Sequence, residues 1–285
     1  MRMNRKVADG LFFVILLLCS FLSVVTLGSI FWFIFSRGAG AFYTQLFQLS
    51  SHDLFATAKL QAMFVSTILL VLVTLLIIGP FAILAAIYLS EYAKRSRLAG
   101  TIRFLVDVLA SIPSIIYGLF GMALFTQLFQ FGMSIISGAM TLSLMLLPIL
   151  MRQTELALSQ VPISYKEASF GLGATRFETI WKVVIPNALP SIGVGFLLVI
   201  GRIVGESAAL LFTVGSFVRM PINRGSGLLS IFEAGTTLTI RAFIEVKEYG
   251  NVEVAAAIGI LILLTVVTLN GLAKLVIWMA GGVVG

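Results

Sequence analysis

The chain has 285 residues and a mean hydropathy of +1.09, with 59% hydrophobic and only 11% charged residues. A soluble domain carries about 25% charged residues to cover its water-facing surface, so that class is excluded and lipid is the main solvent. A single cysteine (Cys19) and a single histidine (His52) exclude an intrachain disulfide and a His cluster for zinc, and the net charge of +7 points first to loops held on the cytoplasmic side of a membrane.

A helix needs about 20 predominantly apolar residues to cross the hydrocarbon, so the intervals between charges mark the spans. The first, about 11–35, follows the basic start Arg2, Arg5, Lys6; its 25 apolar residues exceed the roughly 7–15 of a cleaved signal peptide, and it is read as a retained span. The second, about 60–90, contains Pro80 as a candidate kink. From Val108 to Met151 there are 44 uncharged residues, enough for two crossings, about 105–129 and 134–157, joined by a turn near Gln127, Gln130, Gly132 and Gly138. The fifth, about 189–215, contains Arg202 and Glu206, and the sixth covers about 254–277.

Six spans place both termini on one side. With the N-terminus inside, twelve Lys and Arg fall on the cytoplasmic side and six outside, as the positive-inside rule requires, leaving Arg202 in the membrane. The loops 37–59 and 216–253 are then outer, and 158–186 is inner. None is large enough to fold alone, so the reading is a single all-α membrane domain over 1–285.

In the inner loop, Ser164 with Glu167 and Thr175 with Glu178 have the spacing of capping boxes, predicting two short helices, the first ended by Gly171 and Gly173 and the second stopping before Pro186. Such a helix, with small Ala168 and Ser169 on it, suits docking; two interfacial helices that merely cover the bundle are the plainer alternative. In the fifth span Glu206 follows Arg202 at i+4, with Thr213 on the same stripe and Gly201 and Gly205 beside it as a G-x-x-x-G for close helix packing. An arginine at the bilayer centre costs about 2.5 kcal/mol or more, so it needs either a structural partner or a function. The pair is a helix-fastening ion pair, or Arg202 lines a path for an anion whose attraction Glu206 offsets, with Ser207 and Thr213 adding hydroxyls.

Plainer expectations attach to other residues. Asp107 pairs locally with Arg103; Pro113 kinks the third span or acts as a gating hinge; Tyr117 and Gly118 pack, with lining the path as the alternative; Cys19 is buried filler; His52 is in an exposed loop.

The inner loop resembles the signature of permease subunits of bacterial ABC importers, E-A-A, three residues, G, nine residues, I-x-L-P. Here Glu167-Ala168-Ser169, Gly173 and Val183-Val184-Ile185-Pro186 keep every spacing, with Ala to Ser, Ile to Val and Leu to Ile as departures. Gly201-Arg202-Ile203-Val204-Gly205-Glu206-Ser207-Ala208-Ala209-Leu210-Leu211-Phe212-Thr213 resembles the fifth-span motif of PstA-type phosphate permeases, and Pro113-Ser114-Ile115-Ile116-Tyr117-Gly118-Leu119-Phe120-Gly121 their third-span run. Ala209 stands where that family usually has proline, which removes an expected kink.

The resemblance, over roughly 60–275, implies a type I ABC importer permease fold with a cytoplasmic coupling helix, in a bacterial cell membrane with both termini inside. It implies a PstC-like permease as partner, two copies of a PstB-like ATPase and a PstS-like phosphate-binding protein. The ATPase contact carries over to Tyr165, Lys166, Glu167, Ala168, Ser169 and Gly173, and the substrate path to Arg202, Glu206, Ser207 and Thr213. The sequence has no G-x-x-x-x-G-K-[ST] phosphate loop, so the resemblance assigns ATP and Mg to the partner ATPase and leaves this chain without catalytic residue, metal or cofactor. The alternatives are the same architecture carrying another oxyanion such as phosphonate or sulfate, or the PstC-type partner subunit, from which Ser207-Ala208-Ala209-Leu210-Leu211 leans away. A secondary transporter or channel conflicts with the signature loop, and a membrane phosphatase lacks the constellation it would need.

Overall fold

The computed structural model describes residues 5–47, 54–93, 96–218, 220–222 and 230–281. The helices are α1 (Arg5–Phe47), α2 (Leu54–Ile87, with a π-helical last turn, Tyr88–Tyr92), α3 (Arg97–Ala110) and α4 (Ser114–Gly121, continued by a π-helix, Met122–Leu128). They are followed by α5 (Ile135–Ser159), α6 (Ile163–Gly171), α7 (Arg176–Thr179, then a π-helical stretch, Ile180–Val184), α8 (Ile185–Gly205), α9 (Ala208–Thr213), α10 (Leu238–Lys247) and α11 (Val252–Gly281).

Among the described residues, five helical segments are long and apolar enough to cross a membrane: Asp9–Phe42, Leu60–Tyr92, Ile135–Ser159, Arg176–Gly205 and Val252–Met279. The sixth expected span is broken. Arg97–Ala110 and Ser114–Leu128 meet at 95°, because Pro113 lacks the N–H a helix interior needs and holds Ile112 out of the helical region. Arg103 of α3 meets Glu155 near the C-terminal end of α5, and the chain reaches the N-terminal end of α5 after Leu128, so the bent pair together carries the chain from one end of the bundle to the other. Tyr117 secures the corner by donating its hydroxyl to the Leu109 carbonyl at 2.8 Å. Pro113 thus starts a new helix at a corner and does not bend a continuous one.

The bundle is organised around α5. Leu142, Leu146 and Leu150 lie at i, i+4, i+8 and are fully buried, with Leu70 and Ile78 of α2, Ile203 of α8 and Leu210 of α9 in the same core. α2 and α8 pack on α5; α11 packs on α8 and α10, and α1 lies outside against α11. α1 is apolar all round and exposes Leu11 through Phe35, as a lipid-facing helix does, and Cys19 is exposed on it and not buried as expected. It meets α11 where Gly38 lets the helices close: a Cβ there would lie 2.8 Å from the Ala256 carbonyl carbon.

The expected loop 37–59 is largely helical, since nothing in it breaks a helix before α1 ends at Phe47, and α2 begins at Leu54; His52 lies outside the described residues. The predicted turn between the third and fourth spans is correct for Gln130 and Gly132, with φ of 57° and 63°. Gly138 instead lies within α5, where its missing side chain admits Val214. The expected loop 216–253 contains α10, and its 231–238 stretch folds back on the bundle. Ile135 and Ile136 donate their N–H groups to the carbonyls of Glu233 and Ile231 at 3.2 and 2.8 Å, satisfying the start of α5, and Leu238 N–H reaches the Thr67 hydroxyl.

Candidate functional sites

Two regions hold the residues singled out from the sequence, at the two ends of α8. In the first, α8 ends at Gly205 and α9 starts at Ala208, with Glu206 in an extended conformation (φ −79°, ψ 130°) between them. The expected continuous helix to residue 215 is therefore interrupted, although alanine replaces the proline at 209. The cause is Glu206 itself: its buried carboxylate accepts the Ala209 N–H at 3.3 Å, competing with helical bonding as a capping side chain does. Ala209 then enters the bundle, where Gly118 on α4 makes room; a Cβ at 118 would stand 2.7 Å from the Ala209 Cα.

Glu206 turns its carboxylate to α9, and Arg202 and Glu206 form no ion pair among the described residues. This overturns the helix-fastening alternative within this chain. Arg202 is exposed on a stripe with Val194 and Leu198, and a Cβ built on Gly201 or Gly205 meets nothing within 4 Å. Among the described residues no neighbouring helix packs on the G-x-x-x-G. Ser207 is half-buried, while Thr213 is buried and donates to the Ala209 carbonyl at 3.1 Å. The Thr213 hydroxyl is engaged in its own helix, away from the Arg202 face. Near the break the Thr239 hydroxyl donates to the Val204 carbonyl, so α10 caps the end of α8.

The second region is the other end of α8. α6 starts two residues earlier than the sequence suggests: Pro162 is its N-cap, the Tyr165 N–H already bonds the Pro162 carbonyl, and the Ser164–Glu167 capping box is not formed. Glu167 is released from capping and exposed. The helix is closed by Gly173 alone, at φ 85°, with the Ala174 N–H on the Ser169 carbonyl. The Thr175–Glu178 box is formed in both directions. Its helix does not stop before Pro186 but continues to Gly205, the π-helical turns at Ile180–Val184 relieving the clash a proline makes with the carbonyl four residues back.

The six residues expected at a docking surface divide between two faces. Tyr165, Glu167 and Ala168 are exposed, as is Leu172 at 90%, the most exposed large apolar side chain among the described residues. Lys166 and Ser169 point inward, Lys166 to Glu91 at 2.6 Å and Ser169 to the Thr179 hydroxyl at 2.9 Å. Gly173 is the turn that separates α6 from α7. Next to them lies a charge cluster that the sequence pattern did not disclose. Glu155, buried in α5, accepts Arg103 Nε at 2.7 Å and Arg152 at 3.0 Å, and Arg103 also donates to the Leu89 carbonyl at 3.0 Å. Arg103 therefore pairs across the fold and not with Asp107, because the α3 corner turns it toward α5.

A bundle of lipid-facing helices with one exposed short helix at one end of α8 and an uncovered arginine-bearing stripe at the other defines a membrane transport subunit built to meet further chains. The family described as "Binding-protein-dependent transport system inner membrane component" matches residues 78–277, and the chain belongs to it: it is a permease subunit of ABC transport systems, a non-catalytic membrane component. It is similar to the "Probable ABC transporter permease protein YqgI" of Bacillus subtilis, at 34% identity over 263 residues, 90% of this chain and 89% of that one. It is 32% identical over 214 residues to the "Phosphate transport system permease protein PstA 2" of Mycobacterium tuberculosis, covering 74% of this chain and 69% of that one. A "Phosphate transport system permease protein PstA homolog" of Mycoplasma pneumoniae is 36% identical over 185 residues, 63% of this chain, which spans about a quarter (27%) of that protein's length. Among solved structures, one described as an inward-facing MetNI methionine ABC transporter shares the fold, with a TM-score of 0.60 at 20% identity over 77% of this chain and 93% of that one.

Proposed function

We propose that this chain is one of two membrane subunits of an ATP-driven importer of inorganic phosphate, oriented with α6 and both termini in the cytoplasm. The observation that carries the reading is Arg202: exposed, without an ion-pair partner among the described residues, and set on an α8 stripe that no described element covers. A second, PstC-like permease would complete the path along that stripe. The Arg202 guanidinium offers a planar fork of donors to a tetrahedral oxyanion. Glu206, fixed one turn away, keeps the net charge near neutral so that the anion is not trapped. The phosphate assignment draws on the Gly201–Thr213 motif and the PstA relatives.

At the inner end the exposed face of α6, with Tyr165, Glu167, Ala168 and Leu172, is the docking surface for a PstB-like ATPase, which binds ATP and Mg. Two copies would serve the pair of permeases, and a PstS-like binding protein would deliver phosphate from outside. The twelve-to-six distribution of basic residues supports this orientation.

The test is phosphate uptake by proteoliposomes holding the whole complex. Arg202→Gln should lower uptake at least about a hundredfold, as loss of a charge-assisted bidentate contact in a low-dielectric path does, while the complex still assembles. Wild-type uptake by that variant would remove the site. A related oxyanion is the second reading, favoured by the donor fork itself, which accepts any tetrahedral anion; inhibition of labelled phosphate uptake by excess sulfate or phosphonate would establish it.

A further inference from the structure

The last turn of α2 collects three cations from three separate elements. Lys166 of α6 pairs with the Glu91 carboxylate at 2.6 Å, their side chains 17% and 10% exposed. Arg176 of α7 donates to the Glu91 carbonyl and stacks over the Tyr92 ring at 5.0 Å. Arg103 of α3 donates to the Leu89 carbonyl at 3.0 Å. A helix C-terminus leaves its last carbonyls without partners and carries partial negative charge, and cationic side chains satisfy both demands. The turn is π-helical, so its bonding is looser than that of the α-helix before it. Glu91 is the one acidic side chain in the turn, and Ser90 holds it in place by donating to the same carboxylate oxygen at 3.0 Å.

The connectivity gives this contact its weight. α6 is joined by short covalent links to α5 on one side and through α7 to α8 on the other. To α2, which lies 75 residues earlier at the Glu91–Lys166 pair, it is joined only through space. The exposed face of α6 and its Lys166–Ser169 face are distinct, so one can meet a partner while the other grips the bundle. A displacement of α6 reaches α8 along the chain in any case, whereas the Lys166–Glu91 pair gives it a direct hold on the end of α2.

We propose that Glu91 is a positioning residue that latches α6 to the end of α2, so that movement of the docked helix is passed into the second span together with the fifth. The inference rests on α6 being the ATPase-docking helix. A cleft of about 740 Å³ beside the pair, lined in part by Gln160, Glu167 and Thr179, leaves α6 room to shift if the latch is lost.

The complete complex, this chain with the second permease and the ATPase, is purified and reconstituted with the binding protein, and three quantities are read: ATPase retained, ATP hydrolysed and phosphate taken up. Retention of the ATPase by wild type, and its loss in Gly173→Trp, check the docking reading separately. Glu91→Gln should keep the ATPase and its hydrolysis while phosphate moved per ATP falls about tenfold. The exchange Glu91→Lys with Lys166→Glu should recover coupling relative to either single variant. Unchanged phosphate per ATP in Glu91→Gln, or a charge exchange no better than the singles, overturns the latch. Should Glu91→Gln yield no complex, Lys166→Met on the exposed helix gives the same comparison, and an unchanged ratio there also overturns it.

Discussion

The two ends of α8 use charge in opposite ways. At the α6 end Arg103, Arg152, Lys166 and Arg176 are all engaged, by Glu155, by Glu91 or by carbonyls of the last turn of α2. At the other end Arg202 and Glu206 lie four residues apart and do not pair; Glu206 caps α9, and Arg202 is exposed. A charge fully engaged in its own fold contributes to architecture or to transmitting movement, whereas one left open in an apolar chain is available to a ligand or another subunit. The same residue type, arginine, is thus engaged within the fold in one place and left open in the other, and the difference is set by what packs against it.

The sharpest way to break this contrast is at Glu155. Glu155→Gln removes the carboxylate from two arginines, and the loss of one partner of a buried pair should destabilise the protein by about 3 kcal/mol, read as a lowered thermal midpoint in detergent. A midpoint equal to wild type would mean that the cluster does not hold the fold. Next in size is Gly118→Val, which places a Cβ 2.7 Å from the Ala209 Cα; forcing the α4–α9 contact apart should cost about 1–3 kcal/mol and lower uptake by displacing the Glu206 break. Valine accepted there with full stability and uptake would show that α4 and α9 need not touch. Smallest is Arg202→Gln, whose effect on the thermal midpoint should stay within about 0.5 kcal/mol, as for an exposed substitution, even as uptake collapses. A large drop in stability would move Arg202 into the architectural class with Arg103.

Helix positions and the signature loop were legible because they depend on composition and short-range spacing. The boundaries of α11 and of the fourth span agree with expectation, and so does the Thr175–Glu178 box. The first capping box failed because Pro162 had already begun the helix before Ser164 could cap it. The Arg103–Asp107 pair failed because the 95° corner at Pro113 carries α3 to α5, a geometry that no i, i+4 rule contains. The i, i+4 pair in the fifth span failed because a buried Glu206 found a closer partner in the Ala209 N–H than in the Arg202 guanidinium. Glu91 and Glu155 escaped notice because their cations lie 75 and 52 residues away in the chain.

By itself the sequence determined the lipid-facing class, most of the apolar segments, the short exposed helix α6 with its Gly173 stop and the family, since each follows from local runs of residues. Tertiary structure alone decided which of the charges are spent. An ion pair needs two groups within about 4 Å, and that distance is created by packing α2, α3, α5, α6 and α7 together at one end and by interrupting α8 at the other.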